Sequence, residues 1–364
     1  MVVLQRLNIL HIIAAKEWGG GESSALAMCK AQQEEGHRIF VVFDHVSAAF
    51  MERFAPFAET LVLSMRYPQA IASAFALGNF LRKKNIHVIH THTGKVVPLA
   101  VLAGFFLPTK LMAFRHNVLS NKKDLLHRIL YRRIDAFLCV SKTVYDVQIK
   151  TIEPRLQKRV YQICNGIDTA LYDRGSHAAR PIRPDALTVG YAGRIEENKG
   201  IAVLLAAMEQ MRDERVVLRI AGDSSGVYAQ KMQKFCQERG LNEKVSWCGF
   251  QTDMAAFFDE IDVLVLPSIV AEAFGLVLCE AMYCGCPVIA TWNGAQSEIV
   301  EDGESGYLVA PASSAEIAAR LKDYMEHPQS IVQMGENARN RIAQNFTMDL
   351  WKKRMEQIYA EFFN

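Results

Sequence analysis

The chain has 364 residues, half of them hydrophobic, with 41 Lys and Arg against 39 Asp and Glu, a formal net charge of +2 and 8 cysteines. That length can bury two cores, and a charge so near balance leaves no strong field to gather nucleic acid. No Cys-x-x-Cys spacing occurs, so a zinc site of paired cysteines is excluded, and the thiols read as the reduced, mostly buried cysteines of a cytoplasmic protein.

The first elements in chain order form a βαβ unit. Leu7 to Ile13 is an apolar strand, Trp18-Gly19-Gly20-Gly21-Glu22 a glycine-rich loop, Ser23 to Glu35 a helix and Arg38 to Phe43 the next strand. Such a loop can contact phosphate. It does not spell Gly-x-Gly-x-x-Gly, although Asp44 closes the second strand where a dinucleotide-binding protein places its ribose acid. The N-terminus runs straight into this pattern, so no signal peptide is read.

Two strand ends then carry histidines, Val88-Ile89-His90-Thr91-His92 and Leu111-Met112-Ala113-Phe114-Arg115-His116-Asn117. Polar groups at strand ends tend to line the ligand crevice of such folds. His90 and His92 share a strand face, but spacing supplies no third metal ligand, and hydrogen-bonded or surface histidines are the simpler reading. Between them, Val96 to Leu107 is the most continuously apolar stretch; interrupted by Pro98 and too short to span a bilayer, it reads as a buried or interfacial helix. From Lys122 to Arg133, basic residues alternate with Leu125, Leu126, Ile129 and Leu130 at helical spacing. Two readings stay open: an ordinary helix with its apolar face inward, or a basic amphipathic helix lying on an anionic membrane.

Asn165-Gly166-Ile167-Asp168 reads as a turn, and Asp173 to Asp185 has no periodicity and reads as a linker. Strands then resume at Leu187–Tyr191, Val216–Ala221, Val245–Trp247, Val263–Leu266 and Val288–Ala290. Val189 to Ile201 is strand, turn and helix start, with Arg194 and Lys199 in the turn between Gly193 and Gly200. Arginine offers a planar fork that matches phosphate, lysine a point charge. Two fixed cations can stabilise a leaving diphosphate. Phe250 follows a strand, where it can stack on a base or fill the core.

The stretch from Pro267 to Ala290 carries most chemistry. A strand ends in a Pro-Ser turn, then come Glu272, Phe274-Gly275-Leu276 opening a helix, Glu280 within it, and a stop at Gly285 before Pro287. The first backbone N–H groups of that helix have no helical partner and make an anion site. Ionised carboxylates only accept hydrogen bonds, so they suit hydroxyls. An anion flanked by hydroxyls describes a sugar, a diphosphate and a ribose. Cys284 and Cys286 read as small core residues at the helix end.

The order Gly-Arg…Lys-Gly followed by Glu-x7-Glu resembles glycosyltransferase family 4, the retaining GT-B enzymes that use nucleotide sugars. This chain reads Glu-Ala-Phe-Gly where the family usually has Glu-Gly-Phe-Gly. The resemblance covers the second half strongly and the first loosely. It implies two Rossmann-like β/α/β domains facing across a cleft. The expected boundaries are 1–172 for an acceptor domain, 173–186 for a linker, 187–345 for a donor domain and 346–364 for a helix returning to the first. It also implies catalytic roles for His116, Arg194, Lys199 and Glu272. Donor binding falls to Gly20, Gly21, Gly193, Phe250, Phe274, Gly275, Leu276 and Glu280.

On this reading a UDP- or GDP-sugar gives its sugar to a hydroxyl on a glycan or lipid-linked acceptor. The resemblance implies retention and no metal or other cofactor, in bacterial cell-surface glycan synthesis. The protein is placed in the cytoplasm, with peripheral inner-membrane contact through the basic helix as the open partner. A nucleotide-sugar epimerase of GT-B architecture and a non-catalytic sugar-nucleotide binder remain as alternatives. A Rossmann oxidoreductase lacks its glycine fingerprint.

Overall fold

The structure is a computed structural model that describes residues 6–14, 18–45, 48–65, 69–173, 186–211 and 215–363. The chain divides into two compact units, one of residues 1–166 with 348–364 and the other of residues 167–347. The segment read as a linker lies almost wholly outside the described residues.

The first unit is built on β1 (Asn8–Ile13), β2 (Arg38–Phe43), β3 (Glu59–Val62), β4 (Val88–Thr91), β5 (Lys110–Arg115), β6 (Ala136–Cys139) and β7 (Val160–Gln162). Their order in the sheet is β3-β2-β1-β4-β5-β6-β7. The second unit has β8 (Leu187–Ala192), β9 (Val216–Ala221), β10 (Val245–Gly249), β11 (Val263–Leu266), β12 (Val288–Thr291) and β13 (Gly306–Val309), in the order β10-β9-β8-β11-β12-β13. Every pairing between these strands is parallel.

Parallel strands are covered on both faces, so they read as continuous apolar runs. β11, Val-Leu-Val-Leu, is buried at all four positions, and β8 at all six. In each sheet the order reverses beside the first strand, between β1 and β4 and between β8 and β11. Ligands of open α/β sheets bind beyond the strand C-termini at such a reversal. Hence the loops after β1, β4, β8 and β11 are the places to look.

Two local expectations change. The glycine-rich stretch is not all loop, because a helix runs Gly20–Glu34 with Gly19 as its extended N-cap. Glu22 sits in the first turn, where the helix dipole favours an acid. The apolar stretch around Pro98 does hold a helix, Val97–Ala103, with Pro98 in its first turn, where its missing N–H costs nothing. The Lys122–Arg133 helix is shorter, Leu125–Arg132, because Asp124 caps it by accepting from the His127 N–H. The last helix, Met348–Phe363, belongs to the first unit and buries Trp351, Met355, Ile358 and Tyr359. No described helix is long and apolar enough to cross a membrane.

One contact locks the two switch-point loops of the second unit together. Gly200 has φ +76, and a Cβ there would stand 1.9 Å from the Pro267 carbonyl oxygen. Gly200→Ala is therefore expected to lower the urea-unfolding free energy by at least ~2 kcal/mol. Gly240 has a similar φ of +67 with nothing within 4 Å of the same position. Gly240→Ala should cost only ~1 kcal/mol, the backbone part alone. Equal losses in the two variants would contradict the packing explanation.

Candidate functional site

The end of β8 leads into Gly193, whose N–H donates to the Ala221 carbonyl at 3.0 Å. Tyr191, fully buried on β8, donates its hydroxyl to the Arg194 carbonyl at 2.7 Å and so fixes the turn from below. Burial and the nearby Glu272 charge raise the Tyr191 phenol, which keeps it a neutral donor. The turn closes as a short 3-10 helix, Glu197–Lys199, before Gly200 opens the helix Ile201–Gln210.

The end of β11 meets that turn. Ile269 N–H donates to the Asn198 carbonyl at 2.9 Å. Lys199 Nζ lies 2.6 Å from Glu272 Oε1, and Ser268 Oγ donates to the same oxygen at 2.5 Å. The pair is mostly shielded, with side-chain exposures of 18% and 14%, so its attraction is weakly screened. Both contacts fall on Oε1, and Oε2 accepts from neither. Gly294 secures the Glu272 backbone: its φ is +85 and a Cβ would come within 2.6 Å of the Glu272 nitrogen. Ala295 N–H completes the clasp on the Glu272 carbonyl at 2.9 Å.

Beyond Glu272, Phe274 is buried and packs its ring edge-on against Phe346, 5.8 Å between centroids. Gly275 is the N-cap of the helix Leu276–Tyr283, and no side chain caps that end. Its leading N–H groups therefore keep the partial positive charge of an uncapped helix start. One turn on, Glu280 meets the Tyr172 hydroxyl. Burial pushes the Glu280 carboxyl up to about 7, against the lowering effect of the Tyr172 hydrogen bond.

Not every expected residue joins this group. Arg194 is exposed and pairs with Glu196 at 2.8 Å. Phe250 is 54% exposed, which leaves its ring out of the core and free to stack. Gly20, Gly21 and His116 belong to the first unit. Gly20 and Gly21 form the first helical turn there. His116 directly follows β5, with Nε2 3.1 Å from Nδ1 of His92, and burial lowers it to about 4.

His90 and His92 do not line an open crevice; both are buried. Among the described residues, no group of three or more His, Cys, Asp or Glu is placed to hold a metal ion. The rival ribose acid, Asp44, has Oδ1 taken by the N–H groups of His45 and Met65, both at 3.1 Å. All eight cysteines are unbridged thiols. Sequence reasoning assigned no role to Ser268, Tyr191, Gly294 or Tyr172. Ser268 had a signal, a hydroxyl directly after a buried strand and Pro267. Tyr172 had none, since only the fold brings it to Glu280.

Comparisons with known proteins identify the family and the fold. The model of the Glycosyltransferase Family 4 matches residues 18–171, and that of Glycosyl transferases group 1 matches residues 174–341. A D-inositol 3-phosphate glycosyltransferase of Paenarthrobacter aurescens is 34% identical over 173 residues, covering 46% of this chain and 42% of that protein. The chain thus spans about half the length, or less, of the first curated relatives it matches. A glycosyltransferase structure from Rickettsia africae superposes with a TM-score of 0.88 at 18% identity, over 98% of this chain and 99% of that one. Anabaena HepE, solved with UDP and glucose, gives 0.84 at 21% identity, over 98% and 100%. The two sheets are those of the GT-B fold, and the chain belongs to glycosyltransferase family 4, the glycosyl transferases group 1.

Proposed function

We propose that this protein transfers a sugar from a UDP- or GDP-sugar to a hydroxyl of a glycan or lipid-linked acceptor, with retention at the anomeric carbon. The observation that carries the reading is the Lys199–Glu272–Ser268 cluster beside an uncapped helix start, with Glu280 one turn further on. The diphosphate takes the helix N–H groups and draws on Lys199. Arg194, on a mobile-length side chain at the same turn, swings from Glu196 to the phosphates. Sugar hydroxyls donate to Glu272, whose Oε2 is not used by Lys199 or Ser268. Ribose hydroxyls replace Tyr172 on Glu280, and Phe250 stacks on the base. Lys199 and Arg194 then hold the charge that develops on the leaving diphosphate, so this chain's residues stabilise departure without a protein base.

The acceptor falls to the first unit, with His116 and the Gly20–Gly21 turn as its proposed contacts toward the sugar. A surface-glycan or lipid-linked acceptor is supported by that unit's exposed apolar side chains. On the helix Leu125–Arg132, Leu125, Leu126 and Ile129 are exposed and Leu130 is buried. Leu102, Phe105 and Phe106 extend the same apolar character, and Arg133 lies 4.0 Å over the Phe105 ring. Lys122 and Lys123 are exposed beside them. Such a mixture suits an anionic bilayer surface.

Three outcomes test these assignments. Glu272→Ala and Lys199→Ala are each expected to lower kcat by about 10²-fold or more, because each removes a preorganised charge from the reacting end. Unchanged kcat in both would remove them from the site. Second, Glu280 accepts ribose hydroxyls best when ionised, and its carboxyl titrates at about 7. Sugar-nucleotide affinity should therefore rise between pH 6 and pH 8 and become flat in Glu280→Gln. The sugar nucleotide is the proper probe, since its doubly esterified diphosphate has no proton to lose there. A slope that survives in Glu280→Gln would contradict the assignment. Third, at low salt the protein should pellet with anionic rather than neutral vesicles, and Leu125→Asp with Leu126→Asp should reduce pelleting about tenfold. Equal pelleting with both vesicle types would refute membrane contact.

A further inference from the structure

The first unit contains an unbroken chain of hydrogen bonds, buried up to a half-buried last link on His116. It starts at His90 on β4, whose Nε2 lies 3.2 Å from the Tyr359 hydroxyl. That hydroxyl accepts from Gln32 Nε2 at 2.6 Å. Gln32 Oε1 faces His11 Nε2 at 2.7 Å. His11 Nδ1 faces His92 Nε2 at 2.9 Å, and His92 Nδ1 faces His116 Nε2 at 3.1 Å. His11, Gln32, His90 and Tyr359 are at most 2% exposed. The rings of His92, Phe114 and His116 lie within 16° of parallel to one another.

A neutral imidazole has one N–H and one bare nitrogen. Each link in such a chain needs one proton, so the direction set at one end propagates to the other. The amide oxygen of Gln32 can only accept, and therefore His11 carries its proton on Nε2. His11 Nδ1 is then bare and accepts from His92 Nε2–H. His92 Nδ1 is bare in turn and accepts from His116 Nε2–H. We infer that Gln32, through His11 and His92, fixes His116 in the Nε2–H form and makes its Nδ1 an obligate hydrogen-bond acceptor. Gln32, His11 and His92 are positioning residues, and none of them needs to touch substrate.

The consequence is chemical selectivity. A bare imidazole nitrogen receives a hydroxyl and has nothing to offer a phosphate oxygen. Burial supports this by holding His11 and His116 at about 4 and His90 and His92 well below the usual histidine range, so the chain stays neutral near pH 7. At the far end the same direction makes Tyr359 donate to His90 Nε2. His90 then bears its proton on Nδ1, an atom that is buried with no hydrogen-bond partner. That buried N–H without an acceptor is the local cost of this direction. The link to a sugar hydroxyl rests on the function proposed above; the protonation pattern does not.

The test is long-range 1H–15N correlation of the histidine rings in the intact, ligand-free protein. It fails or succeeds without any sugar nucleotide, so its outcome is separate from that of the transferase reading. The expected result is a single His116 form with Nε2 protonated and Nδ1 bare from pH 6 to pH 8. In Gln32→Met, His116 should become a mixture of both forms, although Gln32 does not contact it. A merely structural Gln32 would shift the melting temperature and leave the His116 form unchanged. Wild-type His116 with its proton on Nδ1 would overturn the inference. So would a folded Gln32→Met protein that keeps the single Nε2–H form. If Gln32→Met does not fold, the wild-type spectrum still decides.

Discussion

Of the described glycines in the second unit, Gly200 leaves the least room for a side chain, because the Pro267 carbonyl lies where its Cβ would stand. Adjacent parallel strands β8 and β11 deliver their following loops to the same end of the sheet. Without a side chain at Gly200 the loops can touch, backbone to backbone. Beside that contact Lys199 meets Glu272, and the Leu276–Tyr283 helix starts without a side-chain cap. A cation, a carboxylate and oriented backbone N–H groups are thereby fixed before a ligand arrives. Fixed charges cost no reorganisation at the moment of reaction.

Much of this was legible from residue order. Unbroken apolar strands announced parallel sheets, and glycines at 193, 200 and 275 marked where strands give way to turns and helices. The Glu272/Glu280 spacing placed both acids around one helix start. What was not legible came from distant partners. Tyr172 reaches Glu280 only because the turn before the linker folds back onto that helix. The histidines at 90 and 92 read as crevice residues because their strand ends in polar groups. The sheet instead buries them beside His11 and Tyr359, residues far apart in sequence. The start of the Gly20–Glu34 helix was misplaced because three glycines argue for a loop, while the extended Gly19 and the acid at Glu22 stabilise a helix start.

The two units handle polar groups in opposite ways. The second holds charges, shielded but paired, at a helix start and two strand ends. The first buries a neutral network whose only degree of freedom is the direction of its protons. A charged site suits a diphosphate; a neutral one suits hydroxyls. This division matches a reaction in which one substrate leaves as an anion and the other attacks as an alcohol.

The proposed transfer requires the second unit to hold a nucleoside diphosphate sugar. The most direct test is a thermal-shift panel of UDP, GDP, ADP, CMP and NAD with the matching sugar nucleotides, in metal-free buffer. Binding to the native state raises the melting temperature by mass action. The expected result is a shift with one nucleoside diphosphate and its sugar nucleotides, lost in Glu280→Ala. A shift with NAD alone, or an equal shift in Glu280→Ala, would contradict it.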